Sequence, residues 1–397
     1  VVDTTPATDS AVLREHVGTL DGLRAVATLA VFGYHFGLPL PPVLAWAGIG
    51  YRIVPNLDLG VDVFFVLSGF LIFLPFARAN LSGTSAPSAW RYAVRRVLRV
   101  YPAYWIAFTV LYALGEITMH GGTGEWIAHL TLVQGYLPNR LSTAFDGIGP
   151  AWSLVVEVSF YAFVPVLALV LRRASALAHV GVLSALVAAS FVVRFLTVAH
   201  PLHGRFGAFL GVLPMNLAPL AGGMLLAVAT LGWPDRSARL ARPTWMWWSG
   251  AGLGFVLLCV FARTSVVAPV RDIVRHPEVE YWHRALAPIV AIALVAPFVL
   301  APGLVDRVRR VVGWRPVVWI GTVSYGIYLW HQPFLLDTPG DHVAIRRSAA
   351  TAHGLGYALG AGAVVLLLTV VVAAGSWYGV ERPAQRLGRR LGRRSLH

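Results

Sequence analysis

An all-α polytopic membrane protein is the fold class that the sequence predicts, and three observations predict it. Apolar residues fill 57% of the 397 positions, where soluble domains hold roughly 45–50% even with glycine counted. Charged residues are only 13%, about half the soluble average. Ten stretches reach the roughly 20 mostly apolar residues that carry a helix across a bilayer. Together these exclude a disordered chain and argue against a soluble multidomain enzyme. A single cysteine, Cys259, leaves no intramolecular disulfide framework and no cysteine-cluster metal site.

The ten spans fall at residues 20–38, 57–77, 101–119, 150–171, 176–197, 207–230, 244–262, 284–302, 316–336 and 355–378. A weaker stretch, 124–138, is short and carries Glu125 and His129; it reads as interfacial or re-entrant. The net charge is +14, and every basic residue is arginine. With a cytoplasmic N-terminus, twenty-one arginines fall on cytoplasmic segments and nine on outer loops, the bias of the positive-inside rule. Arg24 and Arg194 fall within spans. An eleventh full span would invert the later loops and spoil this pattern. The expected organisation is a polar N-terminal segment 1–19, a transmembrane domain 20–380 and an Arg-rich cytoplasmic tail 381–397, with both termini cytoplasmic. No basic region leads directly into a short apolar core, so no removable signal peptide is expected. No repeat of fixed period is visible.

An ionisable residue at mid-bilayer costs about 2.5–3.5 kcal/mol on insertion scales, so each one inside a span is a functional hypothesis. Span 1 reads DGLRAVATLAVFGYHF. Arg24 and His35 are 11 residues apart, so they share a face and stand about 16 Å apart along the axis. A cation at the inner mouth with an imidazole deep on the same face suits a long anionic substrate threaded from the cytoplasm. The alternatives are a snorkelling arginine and a packing histidine. Span 2, LGVDVFFVLSGFLIF, places Asp62 at a depth like that of His35. There it would orient an imidazole or cap the helix. Ser68 lies deeper, and Gly60 and Gly69 permit close helix approach.

Span 4 opens PAWSLVVEVSFY. Glu157 is two turns in, too deep for a cap, while Trp152 and Tyr161 suit an aromatic belt equally well. Span 9 reads GTVSYGIYLWHQPF, with His331 at its outer end and Ser324 and Tyr325 about two turns deeper. His35, Asp62, Glu157 and His331 thus reach similar depth from four spans, which points to an enzyme or a proton-coupled site. Before span 3, SAWRYAVRRVLRVYPAYW puts Arg91, Arg95 and Arg99 on one helix face with Arg96 beside them. Topology with anionic-lipid binding explains that cluster. A phosphate clamp for a nucleotide-bearing donor explains it equally. No G-x-S-x-G, H-E-x-x-H or P-loop motif occurs.

The stretches LDGLRAVATLAVFGYHF, LGVDVFFVLSGFLIF, RRVLRVYPAYW, PAWSLVVEVSFYAFVPVL and GTVSYGIYLWHQPF together resemble the bacterial membrane acyltransferase-3 family. They spread from residue 20 to residue 334. The resemblance places the family's Arg–x10–His pattern on Arg24 and His35, its arginine-rich stretch on Arg95, Arg96 and Arg99, and its Trp-Ser-Leu-x-x-Glu element on Trp152, Ser153 and Glu157. It implies an O-acyltransferase of the bacterial cytoplasmic membrane. An acyl-CoA, most simply acetyl-CoA, would donate to a carbohydrate, glycolipid or glycosylated natural product. No permanently bound cofactor and no metal are expected. His35 would be the base with Asp62 or Glu157 orienting it. Arg24, Arg95, Arg96, Arg99, Trp152, Ser153, Tyr325 and His331 would contact substrates. A proton-coupled secondary transporter is the competing class, since buried His, Asp and Glu also build proton relays.

Overall fold

The computed structural model describes residues 6–37, 50–119, 122–137, 147–199, 211–261, 277–301, 306–335 and 342–394. Among these residues it contains helices and no strands. The principal helices are α1 (Pro6–Gly37), α2 (Leu59–Ser82), α3 (Ala89–Ala113), α4 (Thr123–Leu130), α5 (Trp152–Val170), α6 (Ala176–Ala199), α7 (Leu213–Gly232) and α8 (Pro234–Ala241). They continue with α9 (Thr244–Phe261), α10 (Pro277–Leu300), α11 (Arg307–Val312), α12 (Arg315–Thr322), α13 (Ser324–Leu335) and α14 (His342–Ser376). A π-helical turn, Trp377–Glu381, joins α14 to α15 (Arg382–Arg394).

Among the described residues, six helices are long and apolar enough to cross a membrane, or seven if the pair Pro234–Ala241 and Thr244–Val260, bent by 66°, is one span. The chain is therefore a multi-pass, all-α membrane protein. The expected spans missing from that set are the first, third and ninth. The first carries Arg24 and His35, and the third shares its helix with the preceding arginine cluster, so charged residues dilute their hydropathy; the ninth carries Tyr325 and His331. The ninth is also divided at Val323 into α12 and α13. Just before that break, a Cβ on Gly321 would lie 1.7 Å from the Asp21 carbonyl oxygen, so α1 meets this segment backbone to backbone. The stretch around residue 124 forms the eight-residue α4. At 1.5 Å per residue it is about 12 Å long, too short to span.

Helix α2 is the centre of the bundle. It is apolar on nearly every side, as a helix surrounded by others must be, and Val66, Leu67, Phe70 and Phe73 are almost wholly buried. It packs against α1, α5, α7 and α10. Two of its glycines meet neighbouring backbones, and Gly223 of α7 faces the Val66 carbonyl of α2 in the same way. Gly60 faces the Ala27 carbonyl of α1, and Gly69 faces the Leu220 carbonyl of α7; an added Cβ would come within 2.3 and 2.0 Å of those oxygens. Small residues let backbones meet in this way where lipid offers no hydrophobic drive between helices.

Prolines interrupt several helices, and three of the freed carbonyls are recovered by specific side chains. Proline lacks an N–H, so the carbonyl four residues earlier loses its partner, and in a bilayer a neighbour must replace it. Pro165 frees the Tyr161 carbonyl, which accepts from the Tyr92 hydroxyl at 3.0 Å. Pro219 frees the Met215 carbonyl, and Pro288 frees the Arg284 carbonyl. Arg194 of α6 serves both, through Nε and one Nη. One guanidinium thus ties α6, α7 and α10. The last carbonyls of α4 are met similarly by α3. Tyr104, Trp105 and Tyr101 donate to the carbonyls of His129, Leu130 and Thr131 at 2.9, 2.9 and 3.0 Å.

The Arg-rich segment after residue 380, expected as a tail, is the helix α15 and packs along α3. Gly388 is buried against Leu98 there.

Candidate active site

Five helices converge on one pocket. Arg24 comes from α1, and Val61, Phe64, Phe65 and Ser68 come from α2. Arg99 and Val100 come from α3, Ser153, Leu154 and Glu157 from α5, and Ser324, Tyr325 and Tyr328 from α13. The α2 contributors recur at i, i+3, i+4 and i+7, one helical stripe. The pocket has a cavity volume of about 70 Å3 and is partly open to its surroundings.

Its polar groups differ in how they are held. Arg24 forms an ion pair with Asp21 one turn earlier, at 2.7 Å. Glu157 accepts a hydrogen bond from the Tyr161 hydroxyl. The Tyr325 hydroxyl donates to the Val100 carbonyl at 2.8 Å, fastening α13 to α3. The Tyr328 hydroxyl donates to the Pro150 carbonyl at 2.7 Å and lies 2.6 Å from Ser153 Oγ. Ser153 Oγ also donates to the Pro150 carbonyl, at 3.3 Å, so both hydroxyl protons are engaged within this knot. Arg99 has no hydrogen bond and no ion pair with any described residue. The carboxylates of Glu157, Asp21 and Glu381 act on it through space. A guanidinium facing a cavity without an acceptor is chemically suited to an anionic ligand.

Beyond Tyr328 lies a pair of imidazoles. His331 is 1% exposed. Its Nδ1 lies 2.8 Å from the Tyr328 carbonyl and 3.2 Å from the Ile327 carbonyl. Carbonyls only accept, so the proton sits on Nδ1 and Nε2 carries the lone pair. His35 Nδ1 lies 3.2 Å from that Nε2 and 3.0 Å from the Val31 carbonyl. Both neighbours are acceptors, so His35 Nδ1 carries the proton. The lone pair of His35 therefore sits on Nε2, which makes no hydrogen bond with any described residue. The pattern assigns both tautomers. The rings are 4.8 Å apart, and the Tyr328 ring is 5.9 Å from that of His331.

Of the residues singled out from the sequence, Arg24, Arg99, Ser153, Glu157 and Tyr325 line the pocket, and His35 and His331 pair beside it. The arginines before span 3 do not form one clamp. Arg99 alone of them reaches the pocket. Arg96 lies 5.5 Å from the Tyr92 ring and 5.4 Å from the Tyr161 ring, held between two π faces. Arg95 is exposed, one turn nearer the start of α3. Asp62 does not orient His35. It sits about 100° around α2 from Val61, and its electrostatic neighbours are Arg194, Arg284, Asp58 and His283. Glu157 does not bond His35 either; His331 occupies that place. Trp152 lines no part of the pocket and packs edge-on to Phe65 at 6.3 Å. Glu381 escaped the sequence reading, which put it at the start of the tail. It is 2% exposed on the π-helical turn, accepts from Ser376 Oγ at 3.1 Å and acts on Arg99. π-Helical turns concentrate at functional sites, but no residue pattern in the GVERP segment announces one.

Fold and site together define a helical membrane protein whose spans enclose a cationic pocket beside a hydrogen-bonded imidazole pair. The chain belongs to the acyltransferase-3 family: the family described as an acyltransferase domain matches residues 17–378. It is 28% identical over 394 residues to a putative peptidoglycan O-acetyltransferase, YrhL, of Bacillus subtilis, covering 94% of this chain and 55% of that protein. It is 27% identical over 347 residues to the peptidoglycan O-acetyltransferase OatA of Listeria monocytogenes, covering 82% and 50%. To the acyltransferase MdmB of Streptomyces mycarofaciens it is 27% identical over 402 residues, covering 95% and 92%. The chain thus spans about half the length of the first two relatives and nearly all of the third. No solved structure matches it.

Proposed function

We propose that this protein is an O-acyltransferase of the bacterial cytoplasmic membrane. It moves an acyl group, most simply acetyl, from acyl-CoA to a hydroxyl of a carbohydrate-containing acceptor. Ten spans with both termini cytoplasmic accompany this reading. The observation that carries it is the free Nε2 lone pair of His35, at the end of the helix whose Arg24 lines the cationic pocket.

In this mechanism the CoA phosphates meet Arg99 and Arg24 and the thioester lies beside His35. The two ends of α1 involved are about 16 Å apart, which suits a long donor arm. His35 Nε2 removes the proton of the acceptor hydroxyl. The alcohol oxygen attacks the thioester carbonyl, and the tetrahedral intermediate collapses by breaking the carbon–sulfur bond. The His35 imidazolium returns its proton to the departing thiolate, giving the ester and CoA thiol. An acyl-histidine route is the two-step variant of the same chemistry. The peptidoglycan O-acetyltransferases among the relatives support a surface glycan as acceptor.

The test uses the purified full chain in detergent with radiolabelled acetyl-CoA, wild type against His35→Ala. Label is followed in acetate, in protein and in a panel of glycan acceptors, while released CoA is measured alongside. Transfer or slow hydrolysis that vanishes with His35 supports the reading. Full activity in His35→Ala overturns it. Label held on wild-type protein and chased into acceptor selects the acyl-histidine route.

A further inference from the structure

We propose that His331 is the positioning residue of His35, doing with a neutral imidazole what a carboxylate does in a catalytic triad. The proposal rests on the reading of His35 as the base. Three observations carry it. Among described residues, His331 Nε2 is the one side-chain acceptor of the His35 Nδ1 proton, at 3.2 Å. His331 is itself fixed, since its Nδ1 proton is held by two carbonyls one turn back on α13, at 2.8 and 3.2 Å. It is 1% exposed, so water does not compete for its lone pair. The two carboxylates expected for this role do not take it: Asp62 has its electrostatic neighbours elsewhere, and Glu157 is bound to Tyr161.

The chemistry follows from the proton count. In the resting pair, the His35 Nδ1–H is shared between His331 Nε2 and the Val31 carbonyl. When Nε2 takes the proton of the acceptor hydroxyl, His35 becomes an imidazolium, and its Nδ1–H turns into a charged donor. A hydrogen bond to a charged group is roughly twice as strong as a neutral one. The bond to His331 therefore tightens as the reaction proceeds and stabilises the transition state more than the ground state. No proton needs to leave the pair: His331 keeps its own on Nδ1 throughout. The Val31 carbonyl remains as a second acceptor, so removing His331 lowers turnover without abolishing it. Because the pair stands apart from Arg99, donor binding is untouched.

The experiment pairs two amides with acetyl-CoA turnover by the purified full chain, measured as released CoA with the best acceptor of the panel or with water. In His331→Asn the amide nitrogen takes the place of Nδ1 and keeps the local carbonyl bond, but nothing reaches His35. In His331→Gln the amide oxygen takes the place of Nε2 and accepts from His35 again. The expected result is a kcat lowered about ten- to hundredfold in His331→Asn, with the acetyl-CoA KM within about twofold, and a kcat in His331→Gln within about fivefold of wild type. Wild-type kcat in His331→Asn, with His35→Ala inactive, overturns the proposal and leaves the base standing. Equal losses in both amides, at unchanged melting temperature, overturn it in favour of a packing role. If His331→Asn does not fold, His331→Gln decides alone: a kcat as low as that of His35→Ala overturns the proposal. Full activity in His35→Ala overturns the base reading itself.

Discussion

Two arginines within the bundle, the buried Arg194 and the half-buried Arg99, show how the same side chain serves structure in one place and chemistry in another. Arg194 is 2% exposed, and its N–H groups meet the Met215 and Arg284 carbonyls that Pro219 and Pro288 set free. Arg99 faces the pocket and meets no acceptor among the described residues. A guanidinium inside a bundle is expensive unless its donors are matched. On the α6–α7–α10 side the protein itself supplies the match. On the α1–α3–α5–α13 side the match is left to whatever enters. The sequence contains the reason for the first: each proline stands four residues after the carbonyl it orphans. That relation is visible only once the partner is known, because residue 194 is far from both in the chain.

The largest effect that separates the two is on stability. Arg194→Met leaves two buried carbonyls without donors. At about 1–3 kcal/mol for each unsatisfied group, the loss is about 2–6 kcal/mol, read as a fall in melting temperature and in folded yield. The cause can be isolated. In a Pro219→Ala, Pro288→Ala background the backbone regains both N–H groups, and Arg194→Met then costs much less. A double-mutant cycle showing no such relief would remove the proline account and leave Arg194 as a generic buried charge.

Much of this side and of the helix map is legible in the sequence. Each expected span overlaps helix among the described residues, the ninth as two short pieces, since long apolar runs in lipid have no other way to satisfy their backbone. Gly60 and Gly69 were readable as close approaches because a glycine within a span has few other uses. The common face of Arg24 and His35 follows from period alone. What could not be read is azimuth and partner. Asp62 shares the depth of His35, but depth does not say which neighbour a side chain turns to, and α2 carries it round toward α10. Arg95 and Arg99 share a face of α3, yet one turn along the helix separates exposure from the pocket. Glu381 looked like the first residue of a solvated tail because apolar runs end before it. Only the π-helical turn and the docking of α15 on α3 bury it.

The second effect is on donor affinity. Arg99→Gln removes a guanidinium that donates a hydrogen bond to none of the described residues. Its stability stays within about 1 kcal/mol of wild type, because no hydrogen-bonded partner is orphaned. Its acetyl-CoA KM rises about ten- to hundredfold, the worth of one lost hydrogen bond to a charged group. A large loss of stability with unchanged KM would make Arg99 a second Arg194 and erase the contrast.

The smallest effect is the sharpest test of the corrected arginine cluster. Arg95 is exposed on α3 beside α15, outside the pocket that Arg99 lines. A clamp of three arginines predicts that Arg95→Gln weakens acetyl-CoA binding about as much as Arg99→Gln does. The geometry predicts instead a KM within about twofold and a stability change within about 0.5 kcal/mol, as for a surface position without partners. Salt separates the remaining possibility. An exposed cation that steers the donor from a distance acts through a field screened over about 10 Å at 0.1 M ionic strength. Its contribution therefore fades as salt rises, whereas that of Arg99, enclosed among helices, persists. Equal KM losses in the two variants at high salt would restore the clamp. A loss in Arg99→Gln alone would confine donor recognition to the pocket.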